Sequence, residues 1–173
     1  GNKALGEKKY VLAEQIYREA VQSDTSKLDY QNQLAFSLSK QEKYDEAQIV
    51  LDKILSIDSA NIAALWYSGI NYWTNLKGNL RIAISYFEKV LPYFDEKQGQ
   101  YFSANWFIGK AYRRLLKSEG LYFKEVSRMI ECYSTYLKLQ PDANDASEIS
   151  EYIEYIKSIR PTDNVEKWMH ISE

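Results

Sequence analysis

Apolar residues recur at helical spacing along most of the chain. In 9–23 they fall at Ala13, Ile16, Tyr17 and Ala20, and in 44–57 at Ala47, Val50, Leu51 and Ile54. Further on, Ile82, Ala83, Tyr86, Phe87 and Val90 form one stripe, and Val126, Met129, Ile130, Tyr133 and Tyr136 another. Residues three and four apart share a helix face, so each set predicts an amphipathic helix with one buried side. Such stripes predict helices at about 9–23, 28–41, 44–57, 62–75, 80–91, 101–117, 121–139 and 145–159. A stub of an earlier helix is expected to end at Gly6. Pro141 and Pro161 bracket the helix at 145–159, and Asp163 with Glu166 has the spacing of a capping box, which predicts a last short helix through Trp168. With 7 glycines and 3 prolines in 173 residues, the chain has few turn formers for a β-rich fold.

The stripes repeat at a fixed distance. Tyr10 and Tyr44, Ala13 and Ala47, and Asp24 and Asp58 each stand 34 residues apart. Downstream, Trp66, Gly69 and Tyr72 recur as Trp106, Gly109 and Tyr112 at an offset of 40. The longer period places extra residues in loops, at Asn75–Asn79, Pro92–Gln100 and Lys117–Gly120. Paired antiparallel helices follow from this layout. One pair cannot bury its own apolar face, so stability must come from stacking neighbours.

A 34-residue helix–turn–helix period with small residues at fixed places resembles the tetratricopeptide repeat family. The residues that carry the resemblance are Gly69, Tyr72, Gly109 and Tyr112 on the first helix of a pair (helix A). Ala47, Leu51, Ile54, Ala83, Phe87 and Val90 carry it on the second (helix B), and Pro141 follows the last pair. The resemblance implies an all-α fold, a right-handed superhelical array of antiparallel helix pairs forming a TPR-like α-solenoid. It would be a single domain over 1–173, with pairs at about 1–23 (in part), 28–57, 62–91 and 101–139 and a cap at about 145–171. The helix A glycines are expected to face the helix B alanines at a close crossing. This sequence departs from the family pattern in two ways: both helix A tryptophans sit one residue nearer the glycine, leaving Leu65 and Asn105 at the usual Trp position, and Met129 replaces a helix B alanine.

In the family the A helices line the concave side, and the matching stripe here is Asn32, Phe36 and Ser39, then Trp66, Ile70 and Trp73, then Trp106, Lys110 and Arg113, with Glu148, Tyr152 and Tyr155 on the cap helix. The resemblance therefore implies an aromatic groove with a basic patch at Lys110 and Arg113. It fits a non-enzymatic adaptor or scaffold that binds a protein or peptide segment, with no cofactor. Two readings stand for Trp66 and Trp106: groove-lining residues, or core filling between neighbouring A helices. Trp73 is expected to be exposed, since Tyr72 takes the packing face. Some family members clamp a C-terminal carboxylate with Lys, Asn and Arg, but the matching positions here are Asn32, Phe36, Tyr67, Ser103 and Phe107, so that clamp is not expected.

Composition narrows the function classes. A net charge of −2 and a pI near 5.6 do not suit nucleic-acid binding, which calls for a basic face. No apolar run approaches the roughly 20 residues of a membrane span. Cys132 reads as a buried thiol, His170 as a surface or packing residue, and Glu148, Glu151 and Glu154 as a solvated face. No catalytic or metal-ligand spacing is present, so no catalytic residue is assigned. The helix at 145–159 carries a second stripe, Tyr152, Tyr155 and Ile159, which is either left open as a contact surface or, as expected of an end cap, covered by the Val165–Ile171 segment. At the other end, Ile16 or Val21 is expected to be exposed and to give weak self-association. The alternative function is accordingly a structural assembly subunit of a homo-oligomer or envelope complex, working through its ends and convex face.

Overall fold

The structure, a computed structural model, describes residues 2–75, 78–163 and 166–168. Among these residues it is all helical, with α1 (Asn2–Ser23), α2 (Leu28–Lys40), α3 (Tyr44–Ile57), α4 (Ile62–Thr74), α5 (Leu80–Val90), α6 (Gly99–Ser118), α7 (Phe123–Leu139) and α8 (Ala146–Ile159). A 3-10 turn at Leu91–Tyr93 takes in Pro92. None of the helices is long and apolar enough to cross a membrane. The chain forms two compact units, Gly1–Val90 and Leu91–Glu173.

The first unit holds α1 to α5. Each helix packs on the next, and α2 also touches α4, the first helix of the following pair. Ala35, Leu51, Ile54 and Ala64 form one fully buried cluster, flanked by Leu28, Val50, Leu55 and Tyr67. Leu34, Leu38 and Ala47 form a second, against which Tyr17 and Val21 of α1 pack. Burying each large apolar side chain contributes about 1.5–3 kcal/mol. Polar contacts fix the pairing further. Asn71 on α4 donates to Gln48 Oε1 on α3 (3.0 Å) and to the Tyr44 carbonyl (2.9 Å), and Gln48 donates in turn to Ser68 Oγ (3.3 Å).

Two differences from the sequence expectation appear here. The break at Gly6 is absent, and α1 runs unbroken from Asn2 to Ser23. A mid-helix glycine costs only about 1 kcal/mol relative to alanine, too little to end a helix whose neighbours favour it. Second, the helix A glycines face aromatic rings rather than alanines. A Cβ on Gly69 would lie 2.7 Å from Phe87 Cε1, and one on Gly109 would lie 2.6 Å from Tyr133 Cδ1. The glycine is the hollow into which the helix B ring fits. Of the two residues named for exposure at this end, Ile16 is 52% exposed and Val21 is half-buried against the second cluster.

The second unit holds the 3-10 turn and α6 to α8. Ile108, Leu115 and Leu116 of α6, Val126, Met129 and Tyr133 of α7, and Ile149 and Ile156 of α8 are buried. Met129, the replacement for the helix B alanine, is fully buried. At the turn after α6, Gly120 has φ +78°, which a Cβ would strain, and its N–H donates to the Leu115 carbonyl (2.9 Å). The expected short helix ending at Trp168 is not formed at the described residues. Trp168 instead pairs with Leu121 as an antiparallel bridge, with N···O distances of 2.7 and 2.8 Å. Tyr155 and Ile159 of α8 are partly exposed (45% and 38%), and Tyr152 of the same stripe is half-buried. Leu76, Lys77, Val165, Met169, His170 and Ile171 lie outside the described residues.

Candidate functional site

In the first unit, α2 and α4 lie side by side and meet over a groove of about 360 Å³. Phe36, Ser39 and Lys40 line it from α2, and Trp66, Tyr67, Ile70 and Thr74 from α4, with Glu42 in the α2–α3 turn and Tyr44 at the start of α3. The volume falls within the roughly 300–1,000 Å³ of ligand clefts. The spacing i, i+3, i+4 on each helix is what brings these side chains to one face. Of the residues expected at a groove, Phe36, Ser39, Trp66 and Ile70 are brought together. Sequence reasoning missed Tyr67, Tyr44, Lys40 and Glu42.

The aromatic side chains of this groove are held from behind. Phe36 meets Tyr10 edge-on at 5.9 Å between ring centres and lies tilted on Tyr67 at 5.4 Å. Trp66 meets Phe87 edge-on at 5.6 Å. Trp66 thus packs on a core ring of α5 and also lines the groove. Burial raises the pKa of Tyr67, which keeps its hydroxyl neutral over the ordinary pH range. Lys40 stands over the Phe36 ring, its Nζ 5.3 Å from the centre. Glu42 at the rim has φ +62°, a left-handed conformation that costs a non-glycine residue about 1–2 kcal/mol. Its backbone neighbours close the turn: the Glu42 N–H donates to the Ser39 carbonyl and that of Lys43 to Leu38, both at 3.0 Å.

Asn32 does not join the groove. It is buried, at 2% exposure, and donates Nδ2–H to Asn61 Oδ1 (3.1 Å), while Asn61 caps α4 by accepting from the Ala64 N–H (3.0 Å). Its role is to lock α2 to the start of α4. Trp73 is half-buried rather than exposed and is not among the groove-lining residues, while Tyr72 stacks on Tyr86 at 5.9 Å.

In the second unit, the stripe of α6 is engaged by the cap helix. Trp106 Nε1 donates to Asp145 Oδ2 (2.7 Å), and Tyr136 Oη donates to Asp145 Oδ1 (2.8 Å). Lys110 Nζ lies 3.7 Å from Asp145 and 3.8 Å from Glu148, and Arg113 donates to Glu148 while stacking over the Tyr152 ring at 3.9 Å. The expected basic patch is thus neutralised. Asp145 and Glu148, three residues apart at the start of α8, meet Lys110 and Arg113, three residues apart on α6. Burial opposes ionisation of Asp145, but the hydrogen bonds from Trp106 and Tyr136 and the nearby Lys110 outweigh it and hold its carboxyl below the usual range. The hydrogen bond from Arg113 does the same for Glu148. Burial raises the Tyr152 hydroxyl to about 12. Tyr155 lies on the same helix, 45% exposed. Among the described residues no group of three or more His, Cys, Asp or Glu is placed to hold a metal ion, and Cys132 is buried.

No protein-family model matches the chain, and no curated protein matches it. Among solved structures, it is similar to one described as a MamA RS-1 ArsTM double mutant, with a TM-score of 0.64, at 15% identity, covering 91% of this chain and 94% of that one. MamA is a TPR-like protein. The likeness shows the fold: this chain has an all-α, TPR-like helical repeat fold of the α-solenoid kind.

Proposed function

We propose that this chain is a non-enzymatic protein-interaction module of the tetratricopeptide repeat family, an adaptor or scaffold that holds an extended peptide segment in the groove between α2 and α4. The observation that carries this reading is the groove itself, in which Phe36, Trp66, Tyr67 and Ile70 present an aromatic and aliphatic floor from two adjacent first helices. An apolar anchor in such a cleft, rimmed by polar groups, is the usual geometry of peptide capture. The rim carries one cation, Lys40, and one anion, Glu42. That points to a segment with a bulky apolar side chain flanked by charge.

Glu42 supports the reading independently. A strained, non-glycine left-handed residue is retained where its side chain has a use, and here it stands at the mouth of the cleft. Trp106, Lys110, Arg113 and Tyr152 take a different part: they hold α8 in place, and any contact they make with a partner comes through the composite surface of α6 and α8. The test is selection of peptides from a displayed random library on the intact chain, followed by calorimetric titration. Ile70→Glu and Lys40→Glu should each weaken the selected peptide at least about tenfold, equivalent to about 1.4 kcal/mol, with unchanged far-UV helicity. Unaltered affinity in both variants overturns the reading.

A further inference from the structure

The helix α1 has two sides. Tyr10, Ala13, Glu14, Tyr17 and Val21 turn toward α2 and α3: Tyr10 meets Phe36, Tyr17 and Val21 pack on Leu34, Leu38 and Ala47, and Glu14 accepts from Lys43 and Gln41. On the other side lie Lys9, Leu12, Ile16 and Glu19, all exposed, with Leu12 at 57% and Ile16 at 52%. Their spacing of three, four and three residues is that of the seam positions of a coiled coil. Lys9 has no carboxylate partner among the described residues, and Glu19 accepts only a long 3.5 Å hydrogen bond from Gln15 of its own helix.

The order of these four residues matters. Reading along the stripe gives a cation, two aliphatic residues and an anion, symmetric about the level of residue 14. If a second α1 is laid against the first in the antiparallel sense, Leu12 meets Ile16 of the other copy, and Ile16 meets its Leu12. In the same register Lys9 meets Glu19 of the other copy at both ends. A two-fold interface requires this kind of patch, one complementary to itself. A parallel arrangement would oppose like charges at both ends.

We propose that α1 is a self-association surface, pairing antiparallel with the α1 helix of a second copy through Lys9, Leu12, Ile16 and Glu19. Two aliphatic residues per copy make a small core, so the dimer is weak and forms with rising concentration. The two end pairs set direction and register more than strength. This reading is independent of the peptide groove, since Phe36, Trp66 and Ile70 lie on α2 and α4.

Sedimentation equilibrium of the intact chain from micromolar to millimolar concentration tests the proposal. The weight-average mass should rise from 20.3 kDa toward twice that value. Lys9→Glu and Glu19→Lys should each weaken association roughly tenfold, because like charges then face one another at both ends. The double exchange, Lys9→Glu with Glu19→Lys, should restore it. Leu12→Lys should leave a monomer of unchanged helicity. A mass of 20.3 kDa throughout the series overturns the proposal. So does a double exchange that stays as weak as the single ones, which would mean association by another surface or in another register.

Discussion

Replacing Gly69 by alanine should destabilise the protein, although helix propensity alone predicts the opposite. Gly69 lies inside α4, where alanine is favoured over glycine by about 1 kcal/mol. The new Cβ, however, would stand 2.7, 2.9 and 3.0 Å from three carbons of the Phe87 ring, against the ~3.5–4.0 Å of an unstrained carbon contact. Phe87 is fully buried and is met edge-on by Trp66, so the ring has no free direction in which to withdraw. Overpacking of this kind costs about 1–3 kcal/mol. Set against the gain of about 1 kcal/mol in propensity, the net expectation is a loss of up to about 2 kcal/mol. Gly6 supplies the internal control. It also lies within a helix, but a Cβ there meets nothing within 4 Å, so Gly6→Ala should stabilise by up to about 1 kcal/mol. The assay is urea unfolding followed by circular dichroism, extended to a double-mutant cycle with Phe87→Leu, whose smaller side chain leaves room for the methyl group. In that background Gly69→Ala should be neutral or stabilising. A Gly69→Ala variant at least as stable as the parent, or one whose cost is the same in both backgrounds, would refute the ring-in-hollow packing.

Further predictions concern the polar contacts. Burial opposes ionisation of Glu14, but hydrogen bonds from Lys43, Arg18 and Gln41 prevail and bring its pKa from 4.5 to about 2. Its stabilising contribution is therefore full above about pH 4.5 and is lost as pH falls from there toward 2; it amounts to about 2 kcal/mol, discounted for the exposure of Arg18 and Lys43. Unfolding free energies of the parent and Glu14→Gln should converge over that window, and parallel profiles would contradict the assignment. Trp106→Phe removes the donor to Asp145 and should cost about 1–2 kcal/mol in unfolding free energy, with α8 the first element to lose protection in hydrogen exchange. Glu42→Gly should raise unfolding free energy by about 1 kcal/mol by relieving the left-handed residue at the α2–α3 turn.

What the chain discloses before folding is the periodic part. Stripes such as Ala47, Val50, Leu51 and Ile54 mark helices because burial repeats at 3.6 residues, and α2 to α8 lie where those stripes place them, within a residue or two. The start of α1 was not legible, because a lone glycine reads as punctuation whether or not the backbone turns there. The partner of Gly69 was not legible either. A pattern shows that a small residue is required but not which side chain fills the hollow, and the ring of Phe87 lies on the opposite helix. At the groove, Phe36, Trp66 and Ile70 were found through their shared face. Glu42 was missed because a turn, rather than a helical repeat, brings it to the rim, and Lys40 and Tyr44 because they stand at the last position of α2 and the first of α3, at the ends of the stripes. The cations of α6 looked available only because their acidic partners, Asp145 and Glu148, lie more than 30 residues away in sequence, on a helix whose docking only the fold determines.

The most direct test of the interaction reading is a nitrogen–proton correlation spectrum of the labelled chain, recorded during titration with a peptide selected on it. The account expects the largest shift changes at the amides of α2 and α4, centred on Phe36, Ser39, Trp66, Tyr67 and Ile70, with the α1 stripe unmoved at dilute protein. Changes centred on α6 and α8, or spread evenly over the chain with none at the groove, would contradict it.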